Sequence, residues 1–196
     1  MKRVAVLISG RGSNLQSLID AAGTSYRIIL VVSNVEGAGG LDKAQRSGIA
    51  TKVVPHIGKT REAFDAEIDA ALRAAGAELV VLAGFMRILS DGFVRGWEGK
   101  LINIHPSLLP AYKGTKVHER VLEAKEALSG ASVHFVVPEL DAGPVIAQAS
   151  VPVHPSDTPQ TLADRVLAVE HKLYPEALTL LASGKVKLEN GLAVFS

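Results

Sequence analysis

Val4-Ala5-Val6-Leu7-Ile8-Ser9, followed at once by Gly10-Arg11-Gly12-Ser13-Asn14-Leu15, decides how the rest of the chain is read. An apolar run without polar alternation describes a strand buried on both faces, and such strands belong to parallel sheets covered by helices. The glycines let the chain turn tightly off the strand, after which Leu15, Leu18, Ile19 and Ala22 recur at helical spacing as far as Gly23. Strand, glycine turn and helix in that order open an α/β layer structure.

The pattern then repeats. Strands are expected at Val4–Ser9, Ile28–Ser33, Lys52–Pro55, Leu79–Ala83, Leu101–Ile104, Ser132–Val137 and Ile146–Val153. A second short helix stops at Gly48, and Thr60 caps a third whose Phe64, Ile68, Leu72 and Ala75 share one side until Gly76. Val117, Val121, Leu122 and Leu128 suggest another helix. A long one starts at Thr158-Pro159, carries Leu162, Val166, Val169 and Leu173 inward, and is expected to kink or split at Pro175, which lacks a backbone donor. Asn190-Gly191 between Val186–Leu188 and Leu192–Phe195 predicts a carboxy-terminal β-hairpin. The expectation is a mostly parallel twisted sheet with helices on both faces, in one domain over residues 1–196.

Composition narrows the functions. With 47% hydrophobic and 21% charged residues the chain has the balance of a globular protein. Its net charge of +1 offers no broad field for a nucleic acid. There is no cysteine, so thiolate metal sites, disulfides and a cysteine nucleophile drop out. Met1-Lys2-Arg3 precedes an apolar run too short for a signal peptide, and Gly, Pro or charge interrupts every longer run, so no membrane association and a cytoplasmic location are expected.

The turn Gly10–Asn14 has two readings. Unpaired N–H groups at a helix start favour an anion such as phosphate, with the Ser13 hydroxyl and Asn14 amide in support; the alternative is a plain strand-to-helix turn. Dinucleotide binding is disfavoured, because Leu15 stands where a third glycine would be needed and Ser33-Asn34 replaces a ribose-binding acid. No Gly-Lys-Ser/Thr ends the turn, which argues against an ATP-driven enzyme.

Asn103 and His105, two apart at the end of a strand, project from one face where α/β sheets bind ligands, and Pro106 holds His105 outside any helix. An imidazole moves protons near neutral pH and an amide donates to an oxyanion without changing charge, which suits acyl transfer. Asp141, in Leu140-Asp141-Ala142-Gly143-Pro144, either brings a carboxylate to the same edge or only forms a turn. His134 could point toward the same cleft by strand alternation, whereas His56, His118, His154 and His171 read as surface or packing residues with no zinc spacing. Leu109-Pro110 is a candidate cis bond.

The run Leu101-Ile102-Asn103-Ile104-His105-Pro106-Ser107-Leu108-Leu109-Pro110 resembles the signature of the folate-dependent formyltransferases. Gly10 to Asn14, Val80 to Ser90, Ser132 to Val136, Glu139-Leu140-Asp141 and Gly143-Pro144 agree in order, so the similarity covers nearly the whole chain. The resemblance implies a Rossmann-like formyltransferase fold and a catalytic trio of Asn103, His105 and Asp141. It also implies that Gly12, Ser13 and Asn14 hold a ribonucleotide phosphate and that Glu170 meets a glycinamide end. Arg61, Met86, Arg87, Ile88, Leu89, Val137, Pro138, Glu139 and Leu140, with Asn103 and Asp141, would border the folate pocket. Met86, Ile88 and Leu89 offer an apolar slot for a flat ring, while Arg61 and Arg87 are carboxylate partners or merely solvated cations.

The implied reaction moves a formyl group from 10-formyltetrahydrofolate, a cosubstrate, to the amine of glycinamide ribonucleotide, with no metal required. Hydrolysis on the same trio, transfer to a sugar nucleotide and a non-catalytic folate- or nucleotide-binding module are the alternatives. A hydrolase would be expected to carry an extra amino-terminal domain, and a tRNA-directed relative a further carboxy-terminal one. Two positions depart from the family pattern: Arg11 stands where a small polar residue is familiar, and Leu167 where a polar substrate contact is. Oligomeric state is open, and a homodimer is compatible with the sequence.

Overall fold

In the computed structural model, which describes Met1–Ser196, seven strands form one sheet: β1 (Lys2–Ile8), β2 (Tyr26–Ser33), β3 (Ala50–Val53), β4 (Leu79–Leu82), β5 (Leu101–His105), β6 (Leu128–Phe135) and β7 (Val145–Pro152). Their spatial order is β3-β2-β1-β4-β5-β6-β7, with β1 to β5 parallel and β6 and β7 antiparallel. The apolar run Val4 to Ile8 is fully buried, as a strand with neighbours on both edges and helices on both faces requires. The chain leaves β1 toward β2 and β3, then returns to β4 on the other side, so the topological switch point lies between β1 and β4.

Alternation along the strands splits the interior in two. Val4, Val6, Ile102 and Ile104 face a larger core beneath α1 (Ser13–Asp20), α2 (Gly39–Arg46), α5 (Val117–Glu123) and α6 (Pro159–Ala182). Ala5, Leu7, Val80 and Leu101 face a smaller one beneath α3 (Arg61–Ala74) and α4 (Asp91–Gly96). Thr60 caps α3 by accepting the Ala63 N–H, and Thr158 with Thr161 forms a reciprocal cap on α6. The hairpin of β8 (Val186–Glu189) and β9 (Leu192–Phe195) stands as expected.

Two local expectations are corrected, and one element was not expected. Pro175 does not split α6, which runs unbroken for 24 residues. An interior proline costs about 3 kcal/mol, but Leu173, Tyr174, Leu178 and Leu181 around it are all buried, each contributing about 1.5–3 kcal/mol. Leu128 is not helical: α5 ends at Glu123, Lys125 takes a left-handed turn at φ 53°, and Leu128 begins β6. Finally, α4 has no counterpart among the expected elements; its signal is the cap Ser90, whose Oγ accepts the Phe93 N–H.

Candidate functional site

Because Ile102 and Ile104 turn inward to the larger core, Asn103 and His105 turn to the other face, at the carboxyl end of β5. Antiparallel pairing with β6 sets His134 directly opposite Asn103 and Ser132 opposite His105. Ser132 Oγ donates to the Ser107 carbonyl at 2.7 Å and accepts the Leu109 N–H at 3.0 Å, fixing the turn that follows His105. The Leu109–Pro110 bond is cis.

Asp141 arrives from the loop between β6 and β7. The Phe135 N–H donates to the Pro144 carbonyl at 3.0 Å, and Gly143 lies so close to Phe135 that a Cβ there would run into its carbonyl oxygen. The pinched loop holds Asp141 at φ 48°, a left-handed conformation that Asp tolerates better than most residues. Its side chain is only 8% exposed, with Oδ2 3.5 Å from His105 Nδ1 and Oδ1 3.8 Å from His134 Nε2. Asn103, His105 and Asp141 therefore meet, and His134 joins them.

The two histidines differ in what they face. His105 Nε2 donates to the Tyr112 carbonyl at 2.8 Å while Nδ1 looks toward Asp141, so both ring nitrogens face oxygen acceptors. His134 Nδ1 donates to the Phe135 carbonyl at 2.8 Å, leaving Nε2 to accept from Asn103 Nδ2 at 3.4 Å. Burial pulls the His134 pKa below the ordinary imidazole value, against the Phe135 hydrogen bond and the Asp141 charge, which push it up. A neutral His134 is thus an acceptor that aims the Asn103 amide and leaves its second N–H free.

These groups sit at one wall of a cleft of about 740 Å³. Met86, Arg87, Ile88 and Leu89 line one side, Val137, Pro138, Glu139 and Leu140 the other, and Gly114 to Glu119 a third. Met86, Ile88 and Leu140 are 77%, 60% and 54% exposed, an apolar rim that calls for a ligand. The Met86 and Ser90 N–H groups are held by Ser9 Oγ and Asp65 Oδ2, whereas the backbone groups of Arg87, Ile88 and Leu89 between them are free. Arg87 lies over the Phe64 ring with its Nε buried and unpartnered. Arg61, the exposed first residue of α3, is not among the cleft's lining residues.

The glycine turn leaves the sheet from β1, beside β4 and hence across the switch point from the cleft. Gly12 is left-handed at φ 70°, and a Cβ on it would come within 2.7 Å of Gly40 Cα, so the turn needs glycine twice over. Ser13 opens α1. Asn14 is buried and donates through Nδ2 to Glu170 Oε2 at 2.8 Å, joining α1 to α6; its Oδ1 has no partner. Burial raises the Glu170 pKa, and the Asn14 bond only partly opposes this. Leu167 leaves one turn of α6 next to this pair without a polar side chain.

Sequence reasoning set His118 aside, yet it lines the cleft with a buried, unpartnered Nδ1 and a pKa that burial lowers. No signal marked it, because the segment that carries it reaches the cleft through left-handed Tyr112 and Lys116. No cluster of three or more His, Asp or Glu side chains has metal-ligating geometry, and no helix is long and apolar enough to cross a membrane.

Residues 2–178 match the family model described as formyl transferase. The chain is 45% identical over 194 residues to phosphoribosylglycinamide formyltransferase of Escherichia coli, covering 97% of this chain and 92% of that protein. It is 53% identical over 194 residues to the trifunctional purine biosynthetic protein adenosine-3 of Bos taurus, spanning 96% of this chain but only 19% of that longer protein. Among solved structures, phosphoribosylglycinamide formyltransferase from Coxiella burnetii superposes with a TM-score of 0.94 at 44% identity, covering 99% of this chain and 93% of the other. Glycinamide ribonucleotide transformylase 1 from Symbiobacterium toebii gives 0.95 at 39% identity, over 100% and 94%. The chain belongs to the formyl transferase family.

Proposed function

We propose that the chain transfers the formyl group of 10-formyltetrahydrofolate to the amine of glycinamide ribonucleotide, a step of purine biosynthesis. The observation that carries this reading is the meeting of Asn103, His105 and Asp141 at one cleft wall. The names of the similar proteins that match over nearly their whole length supply the substrate class. The cleft fits the formyl donor: an apolar slot at Met86, Ile88 and Leu89 receives a flat pterin, and the free backbone groups of residues 87–89 can pair with its polar edge. Gly12, Ser13 and Asn14 hold the phosphate at the start of α1, and Glu170 meets the glycinamide end.

When the amine attacks the formyl carbon, charge builds on the formyl oxygen. Asn103 has one N–H turned to His134 and the other available to that oxygen. The 3.5 Å separation of His105 Nδ1 from Asp141 Oδ2 is long for a direct hydrogen bond, which leaves Nδ1–H available to the oxygen or a bridging water. Asp141 sustains the charge on His105 and passes the proton lost by the attacking amine to the departing folate nitrogen. The protein groups need no metal for this, and chelators are expected to leave turnover unchanged.

The test follows the absorbance change as 10-formyltetrahydrofolate loses its formyl group, with and without glycinamide ribonucleotide. Release that depends on the amine supports transfer. Release without it reassigns the chain as a hydrolase, dependence on an amino-sugar nucleotide instead reassigns the acceptor, and silence with every acceptor leaves a binding module.

A further inference from the structure

A single line of hydrogen bonds runs behind the cleft, along the carboxyl ends of β1, β2 and β3, and ends on the loop proposed to read the pterin. The Met86 N–H donates to Ser9 Oγ at 2.8 Å, the Ser9 hydroxyl donates to Asn34 Oδ1 at 2.5 Å, and Asn34 Nδ2 lies 3.1 Å from His56 Nδ1. Ser9 grips the same loop a second time, its own N–H donating to the Gly84 carbonyl at 3.1 Å. None of Ser9, Asn34 or His56 lines the cleft.

With the His56 tautomer whose Nδ1 accepts, every bond in this line points the same way, from the Met86 N–H to the ring. An imidazole Nδ1 that accepts forces the Asn34 amide to present Nδ2 to His56 and Oδ1 to Ser9. The Ser9 hydroxyl has one hydrogen; once that is given to Oδ1, only lone pairs remain for the Met86 N–H. Were the amide reversed, Ser9 Oγ would accept from both Asn34 Nδ2 and the Met86 N–H, and its own hydrogen would lose the acceptor it has in Asn34 Oδ1. Asn34 is 5% exposed, so reversing its amide would turn Oδ1 toward His56 and Nδ2 toward Ser9 with little solvent to compensate on the Asn34 side. His56 is itself held edge-on to Phe64, and Phe64 stacks on Phe85 next to Met86, so the ring is linked to the loop a second time through Phe64.

We infer that Ser9, Asn34 and His56 are positioning residues for the formyl donor: they fix the Met86–Leu89 loop, and through it affinity for the pterin, without touching either substrate. This rests on the cleft being the folate pocket. The loop is pinned by a side chain at Met86 and again at Ser90, and the three residues between have unused backbone groups. Losing one pin lets that edge drift and lowers affinity for whatever it reads.

The test measures KM for 10-formyltetrahydrofolate, KM for glycinamide ribonucleotide and kcat in Ser9→Ala, Ser9→Thr and His56→Ala, with calorimetric titration of tetrahydrofolate into each. Ser9→Ala should raise the folate KM and the tetrahydrofolate Kd about tenfold, the scale of one lost hydrogen bond to a positioned donor. The ribonucleotide KM and kcat should stay within about twofold. His56→Ala should give the same split at about threefold, because the amide then samples both orientations. Ser9→Thr, which keeps the hydroxyl, should restore wild-type values. Parallel changes in both KM values, or a Ser9→Thr variant as weak as Ser9→Ala, would mark a general structural defect and overturn the inference, as would unchanged folate affinity in Ser9→Ala. If the wild-type protein binds no tetrahydrofolate, the functional reading fails first, and the inference with it.

Discussion

At the β5–β6 end of the cleft, Asp141 lies 3.5 Å from one histidine and 3.8 Å from another, whereas beside the glycine turn Glu170 has only the amide of Asn14 for a partner. Both regions bury ionisable groups, but the first sets Asp141 between two histidines and the second gives Glu170 a single hydrogen bond from an amide. In the cleft, a proton taken from one group has another to go to. At the turn, burial holds the carboxyl toward its neutral form, and its one hydrogen bond comes from an amide, which does not titrate. On the proposed function, proton traffic belongs to the cleft and substrate holding to the turn, so substitutions on the two sides should fail in different kinetic parameters.

The largest effect is expected where charge develops. Asn103→Ala removes the donor proposed for the formyl oxygen and should lower kcat about a hundred- to a thousandfold, with circular dichroism and melting temperature close to wild type because Asn103 is only half-buried. Near-normal turnover in the folded variant would break the assignment of chemistry to this wall.

Next comes the turn. Gly12→Ala must adopt a left-handed backbone and also push aside Gly40, whose own N–H donates to the Gly10 carbonyl at 3.0 Å. Displacing the turn should raise KM for glycinamide ribonucleotide about tenfold or more, by loss of the N–H cradle, while kcat falls less. A variant that loses kcat and keeps this KM would merge the two regions into one catalytic unit.

The pH dependence of stability should separate them with opposite signs. Burial raises the Glu170 pKa, so the native chain keeps a proton that the unfolded chain has lost; that contribution is full below the ordinary glutamate range and is lost as pH rises through the raised value. Burial lowers the His134 pKa, so its contribution is full above the ordinary histidine value of about 6.5 and is lost as pH falls toward the lowered one. Thermal melts across this range should show Glu170→Gln gaining on wild type as pH rises, and His134→Gln gaining as pH falls. Equal slopes in the two difference curves would show that burial does not set both protonation states.

The fold was legible because β1 is buried on both faces and can only be an interior strand. The meeting of Asn103 and His105 was legible as well, since a period of two puts them on one face at a strand end. Asp141 could be named but not placed, because its position depends on Gly143 closing against Phe135, a contact between two loops. The partner of His105 is a backbone carbonyl at Tyr112, which no side-chain pattern encodes. The pairing of Asn14 with Glu170 spans 156 residues, so each read locally as a separate contact. Arg61 shows the reverse limit: the pattern places it near the folate pocket, but an exposed side chain at a helix start has no packing to hold it there.

The smallest expected effect concerns Arg11, which sits in the glycine turn with an exposed side chain. A solvated guanidinium near a bound phosphate contributes through a screened field rather than a fixed bond, so Arg11→Ala should raise KM for glycinamide ribonucleotide only about two- to fivefold at low salt. The difference from wild type should shrink as ionic strength rises, and kcat and the folate KM should not change. Salt-independent loss would instead mean that Arg11 makes a direct bidentate contact, which would make the turn a built cationic receptor rather than a backbone cradle.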